Sequence, residues 1–175
     1  MSSSTGFLTL CFVLSVNLCT PMAFPTYPCK LKELLIRLEH EIKGFNSTLL
    51  VNHAHYHAEV IPALVIDKSL PIHEQNEKAA CGLVYMTKAL KQIKDHHSKL
   101  IHDDQIQHQF NETMTRLTLH ISPCAHRVLA NCNNNPHPKF PVLHFQAKKW
   151  IRNFLESSVK FLHQLIHFLE KAQTA

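Results

Sequence analysis

Glycine is scarce, with 3 residues in a chain of 175. Tight turns, bulges and phosphate-cradling loops use glycine where the backbone must turn left-handed or approach a ligand closely. Its scarcity argues against a β-rich fold and against a glycine-loop nucleotide-binding fold. Catalytic signatures are missing too. There is no Gly-x-Ser-x-Gly, no His-Glu-x-x-His and no P-loop, and no nucleophile–base pair stands out. The expectation is a protein that is not an enzyme and carries no cofactor. The formal charge of +5 comes without a dense Lys/Arg run interleaved with stacking aromatics, so it does not imply nucleic acid as the partner.

Charge is also absent from the N-terminus, where no charged side chain precedes Lys30. Phe7–Leu18 is an apolar run followed by small residues. It is too short for a comfortable membrane span and has the length of a signal-peptide core. We read residues 1–23 as a secretory signal peptide and 24–175 as the mature domain, with no membrane insertion. Its n-region lacks the usual Lys or Arg, and the cleavage position stays open. Cleavage removes Cys11 and Cys19 and leaves Cys29, Cys81, Cys124 and Cys132. An even number in an oxidising compartment predicts two disulfides. The sequons at Asn46 and Asn111 are then glycosylation acceptors, with occupancy open.

Four segments carry helical periodicity. Cys29–Lys43 lines up Leu31, Leu34, Leu35, Leu38 and Ile42, with Gly44 as a natural stop. Pro71–Asp95 lines up Ile72, Ala79, Leu83, Met86, Leu90 and Ile93. Asp103–Ile121 lines up Ile106, Phe110, Met114, Leu117 and Ile121, with Pro123 ending it. Phe145–Lys171 carries a wide stripe through Ile151, Phe154, Leu155, Leu162, Leu165, Ile166 and Leu169. The connections run long, short, long. Short links join antiparallel neighbours, and long links let the next helix run parallel, so the expected fold is all-α. It is an up-up-down-down four-helix bundle with two long crossover loops. Two strand-like pieces, "HAEVIPALVI" and "FPVLHF", can pair as a short two-stranded ribbon between the loops. In this topology all four cysteines fall toward one end. The arrangement favours Cys81–Cys124 with Cys29–Cys132 and leaves the swapped partners open.

Histidine supplies the candidate chemistry. "VNHAHYHAEV" sets His53, His55 and His57 at alternate positions, which share one face in an extended strand. Zinc needs a fourth ligand and an outer shell that fixes the tautomers, and the chain has 15 histidines throughout its length. A plain extended segment across the helices is the better reading. The pair His102–Asp103 suggests phospholipase chemistry, but neither a glycine-rich calcium loop nor a dense disulfide framework accompanies it. A polar turn is the better reading. His163 and His167 have metal-ligand spacing, i and i+4, and read as a solvated helix face. No metal site is assigned.

What remains is surface. Glu33 and Arg37 lie opposite the leucine stripe of the first helix, in the order that favours a local i,i+4 ion pair. Glu112 and Arg116 lie on the third helix. Trp150, Phe154, Phe161 and Phe168 form a second row beside the main stripe of the last helix. That row either packs beneath the loops or forms an aromatic patch for a partner.

Four stretches carry a resemblance. "LKELLIRL" (Leu31–Leu38), "AACGLVYMTKALKQI" (Ala79–Ile93), "SPCAHR" (Ser122–Arg127) and "NFLESSVKFLHQLI" (Asn153–Ile166) are similar to a short-chain four-helix-bundle cytokine. The resemblance is strongest to the interleukin-4/interleukin-13 family. It implies a secreted, monomeric, growth-factor-like ligand that brings together two type I cytokine receptor chains in immune signalling. One is an interleukin-4 receptor alpha-like chain. The other is a common gamma-like or interleukin-13 receptor alpha-like chain. In that family a first-helix Glu and third-helix basic residues meet the high-affinity chain, and the last helix meets the second. Glu33 matches the first position; Arg116 matches the second approximately, because this third helix is poor in Arg and Lys. The resulting receptor-binding set is Glu33, Arg37, Glu112, Arg116, Trp150, Phe161 and Phe168. The chain departs from the family in its cysteines: Cys29 lies two residues before Leu31, and none lies between the first two helices. Another short-chain cytokine of interleukin-2 or interleukin-5 type, or a secreted His-rich metal-binding protein, stays open as an alternative.

Overall fold

The computed structural model describes residues 29–49, 59–97, 104–134 and 136–174. The segment read as a signal peptide, His53, His55 and His57, and His102 with Asp103 lie outside the described residues. The elements are α1 (Leu31–Leu49), a 3-10 turn (Pro62–Leu64), α2 (Ile72–His97), α3 (Asp104–Arg116), a π turn (Leu117–Ile121), α4 (Ser122–Val128) and α5 (His144–Thr174). Helical backbone continues from α3 through the π turn into α4, so these three form one rod. The described chain is four helical rods and has no strand.

Spacing explains α1. Leu31, Leu35, Leu38, Ile42 and Phe45 recur every three or four residues and are all buried, while Glu33 in the first turn meets the positive end of the helix dipole. Gly44 does not end the helix as expected. It keeps helical backbone in open space, because continuing one residue further buries Phe45 against the ring of Phe110, centroids 5.6 Å apart. In α2 the expected stripe from Ala79 to Ile93 is buried, but Ile72, in the first turn, is 62% exposed.

The third rod corrects a second boundary. Pro123 lacks the N–H that an α-helix needs, and its ring crowds the carbonyl four residues back. The chain answers by widening one turn rather than stopping. The Ser122 backbone N–H donates to the Leu117 carbonyl, five residues back, which resets the pairing by one residue. Pro123 then sits in the first turn of α4, where its missing donor costs little.

The core forms where α5 meets the other rods, and its most extensive packing is with α1. Every residue of the predicted α5 stripe is buried. Each such Leu, Ile or Phe contributes roughly 1.5–3 kcal/mol over an exposed position. Contacts run in opposite order along paired rods. Just before α1 Cys29 meets Cys124, and along it Glu41 meets Arg116 and Phe45 meets Phe110. Lys32 and Glu39 of α1 meet Glu170 and His163 of α5. Gly82 and Tyr85 of α2 meet Phe161 and Phe154 of α5.

The disulfides are Cys29–Cys124, with Cα atoms 5.6 Å apart, and Cys81–Cys132, 4.8 Å apart. The favoured pairing of Cys81–Cys124 with Cys29–Cys132 is therefore wrong, and the swapped partners are the observed ones. The continuation of the helix past Pro123 is the reason. It keeps Cys124 on a rod packed against α1, 7% exposed, while Cys132 lies beyond that rod, beside α2.

The expected ribbon is also absent among the described residues. Pro62 starts a 3-10 turn, and Leu64 and Ile66 are buried, with the Ile66 N–H donating to Gln164 Oε1 on α5 at 3.2 Å. The other piece contains Pro141, which has no N–H to give a ladder. Residues 132–134 and 136–140 instead follow α2. After the Cys81–Cys132 bond, Lys88 Nζ donates to the Pro136 carbonyl at 3.3 Å, Gln92 Nε2 to the Pro138 carbonyl at 3.2 Å, and His96 stacks on Phe140 at 5.0 Å. Among the described residues no helix is long and apolar enough to cross a membrane.

Candidate functional site

The exposed side of α1 and the adjoining edge of α3 collect most of the charged candidates. Glu33, Ile36, Arg37 and His40 are exposed and recur at the three- and four-residue spacing of one helix face. A groove of about 420 Å³ runs beside them, with Arg37 and His40 on one wall and Arg116 of α3 contributing from the other. The fold thus brings Arg37 and Arg116 to one groove. Arg116 is not an unpaired cation: its guanidinium forms an ion pair with Glu41 of α1. The other Glu41 oxygen accepts a hydrogen bond from the Thr113 hydroxyl at 2.9 Å. Glu41 was not singled out from the sequence, because a charged residue beside the stripe of an amphipathic helix gives no signal of its partner on another rod.

Glu33 pairs with Lys30 at 3.2 Å rather than with Arg37, both side chains being more than half exposed. Such a pair contributes about 0–1 kcal/mol, so Glu33 has little structural work. Glu112 is exposed and its carboxylate lies 3.9 Å from His108 Nδ1. Asn111, the second sequon, is exposed on the same helix, whereas Thr113 is buried. Asn46 falls within α1.

The aromatic row of α5 divides. Phe161 is 0% exposed. Its ring occupies the space that a side chain at position 82 would need, a Cβ built on Gly82 lying 2.3 Å from Cζ. Phe161 is therefore a core residue and supplies no surface. Trp150 is half-buried, stacked on Phe154 with centroids 5.4 Å apart and edge-on to Phe140 at 5.1 Å. It fastens the segment before α5 onto the bundle. Phe168 is half-buried against the core. More apolar surface is exposed at the start of α5, where Val142, Leu143 and Phe145 are 99%, 63% and 80% exposed. These residues belong to the piece read as strand-like, and that reading hid them.

On the face of α5 beside α1, the His163 and His167 rings meet edge-on with centroids 4.4 Å apart. Glu170 follows them, and its carboxyl is held below its ordinary value by a hydrogen bond from Lys32 and a second from His167. Burial raises the Tyr85 hydroxyl above its ordinary value. No protein-family model, no curated protein and no solved structure matches the chain.

Proposed function

We propose that the protein is a secreted helical cytokine of the interleukin-4/interleukin-13 type that joins two type I receptor chains on immune cells. The observation that carries this reading is the order of contacts between rods, taken with the long, short, long connections. Residue numbers rise along α1 while they fall along the third rod and along α5, and they rise along α2 while they fall along α5. Two rods up followed by two rods down fits all of these pairs, and on this reading the long connections from α1 to α2 and from α4 to α5 are the overhand crossovers. The two disulfides support an oxidising compartment.

On this reading the α1–α3 face meets the high-affinity chain. Glu33 is its exposed carboxylate, Arg37 and Arg116 flank the groove, and Glu112 stands at the α3 edge. The second chain meets α5 through Trp150 and Phe168, and Phe161 drops out of the contact. The test is incubation of the purified protein with cells bearing defined pairs of type I receptor chains, reading phosphorylation of the downstream transcription factors. The expected result is a signal that needs both chains, and Glu33→Ala weakening binding to the first chain at an unchanged melting temperature. Unchanged binding by Glu33→Ala refutes the α1 contact. Absence of signal with every pair refutes the function.

A further inference from the structure

We propose that His163 and His167 form a two-coordinate protein site for a divalent cation of the zinc class on the exposed face of α5. Their Nε2 atoms face each other at 3.1 Å. A metal about 2.0–2.1 Å from both nitrogens needs them about 2.9 Å apart for a right-angle site and about 3.3 Å apart for a tetrahedral one. The observed spacing, now that of a hydrogen bond between the two rings, falls between these limits. Both rings are open to solvent, with side chains 62% and 55% exposed.

The outward nitrogens are what distinguish this pair from two neighbouring surface histidines. His167 Nδ1 lies 2.9 Å from Glu170 Oε2, and Lys32 Nζ holds the other oxygen of Glu170 at 2.8 Å. An Nδ1–H donated to that carboxylate leaves the lone pair on Nε2, which is the form that ligates a metal. His163 Nδ1 faces Glu39 Oε1 at 3.9 Å, and Glu39 is nearly buried and paired with Lys43 at 2.7 Å. His167 thus has an anchored carboxylate within hydrogen-bond distance on the side away from its partner, the arrangement that orients metal-ligating histidines, while Glu39 stands beyond hydrogen-bond distance of His163. Among the described residues no third His, Cys, Asp or Glu completes a metal-binding group.

With 15 histidines in the chain, total zinc uptake alone decides nothing, so the test is a difference. Zinc chloride is titrated calorimetrically into the purified, disulfide-intact protein and into the double variant His163→Gln/His167→Gln. The expected result is one fewer zinc equivalent in the double variant at a matched melting temperature. Glu170→Gln keeps that equivalent but binds it about 10–100-fold more weakly. Ring-nitrogen NMR of the unmodified protein gives an independent reading, with zinc shifting Nε2 of His163 and His167 while His167 Nδ1 stays protonated. Equal uptake by parent and double variant, or zinc shifts confined to other histidines, overturns the proposal.

Discussion

Replacing Gly44 with alanine is expected to stabilise the protein, and replacing Gly82 with alanine to destabilise it. Both glycines lie inside helices. Alanine is better than glycine in a helix interior by about 0.8–1.0 kcal/mol. At Gly44 a new Cβ meets nothing within 4 Å, so the propensity gain stands alone. Had Gly44 ended the helix in a left-handed conformation, alanine there would cost about 1–2 kcal/mol. The sign of the change therefore separates the two descriptions. At Gly82 the new Cβ lies 2.3 Å and 2.4 Å from two ring atoms of Phe161. That ring is fully buried and must force its neighbours aside. Overpacking of this kind costs about 1–3 kcal/mol. Against the same propensity gain, the net is a loss of up to about 2 kcal/mol, and the propensity contribution cancels when the two variants are compared. Urea unfolding with the disulfides intact measures both. A slope of about 1–3 kcal/mol per molar converts the Gly44→Ala gain into a midpoint about 0.3–1 M higher. In a Phe161→Leu background the Gly82→Ala penalty shrinks, because the two sites share one space. A lower midpoint for Gly44→Ala refutes the continuous α1. A Gly82→Ala midpoint as high as that of Gly44→Ala refutes the insertion of Phe161 against α2.

Three further outcomes follow from the cross-links and the charges. Digestion of the unreduced protein yields peptide pairs joined by Cys29–Cys124 and Cys81–Cys132, and recovery of a Cys29–Cys132 pair refutes the observed connectivity. Cys81→Ser with Cys132→Ser, which opens a loop of sequence separation 51, is expected to lose about 4 kcal/mol in urea unfolding by the chain-entropy relation. Glu170 is held ionised below the ordinary glutamate value by hydrogen bonds from Lys32 and His167. A depressed carboxyl contributes stability that is present above the unfolded-chain value and is lost as pH falls through the lower folded value. Lys32→Ala moves the Glu170 midpoint back up toward the ordinary value in a carboxyl-carbon NMR titration, and an unmoved midpoint refutes the Lys32 contact.

The helices were legible because burial repeats. The stripes of α1, α3 and α5 are buried except for Leu34 and Ile106, which are partly buried against the core, and periodicity reports burial directly. Their ends were not legible. Gly44 and Pro123 are local stop signals, and each was overridden by packing further along the chain: Phe45 against Phe110 in one case, Cys124 against α1 in the other. The disulfide partners failed for the same reason, since placing Cys124 required knowing that the third rod continues. The aromatic row could not be divided from sequence either. Whether Phe161 is core or surface depends on Gly82, a residue 79 positions away on another rod (161 − 82). Arg37 and Arg116 were found as charges, but Glu41, which neutralises Arg116, belongs to a contact between rods that no spacing encodes.

The two disulfides end within one short stretch, Cys124 to Cys132. Synthesis runs from the N-terminus, so every cysteine of both bonds emerges ahead of α5. The first three rods can be cross-linked before the element they pack against is free to dock. Oxidation at that stage joins α1 and α2 to the third rod without closing the core. The last 31 residues of helix, His144–Thr174, are bound by no cross-link among the described residues. They enter a space whose walls are already tied together. The final step of assembly is then a docking of α5 without a covalent tie, chiefly by apolar burial, and a chain cut short before residue 144 would carry its correct disulfides around an open, sticky cleft.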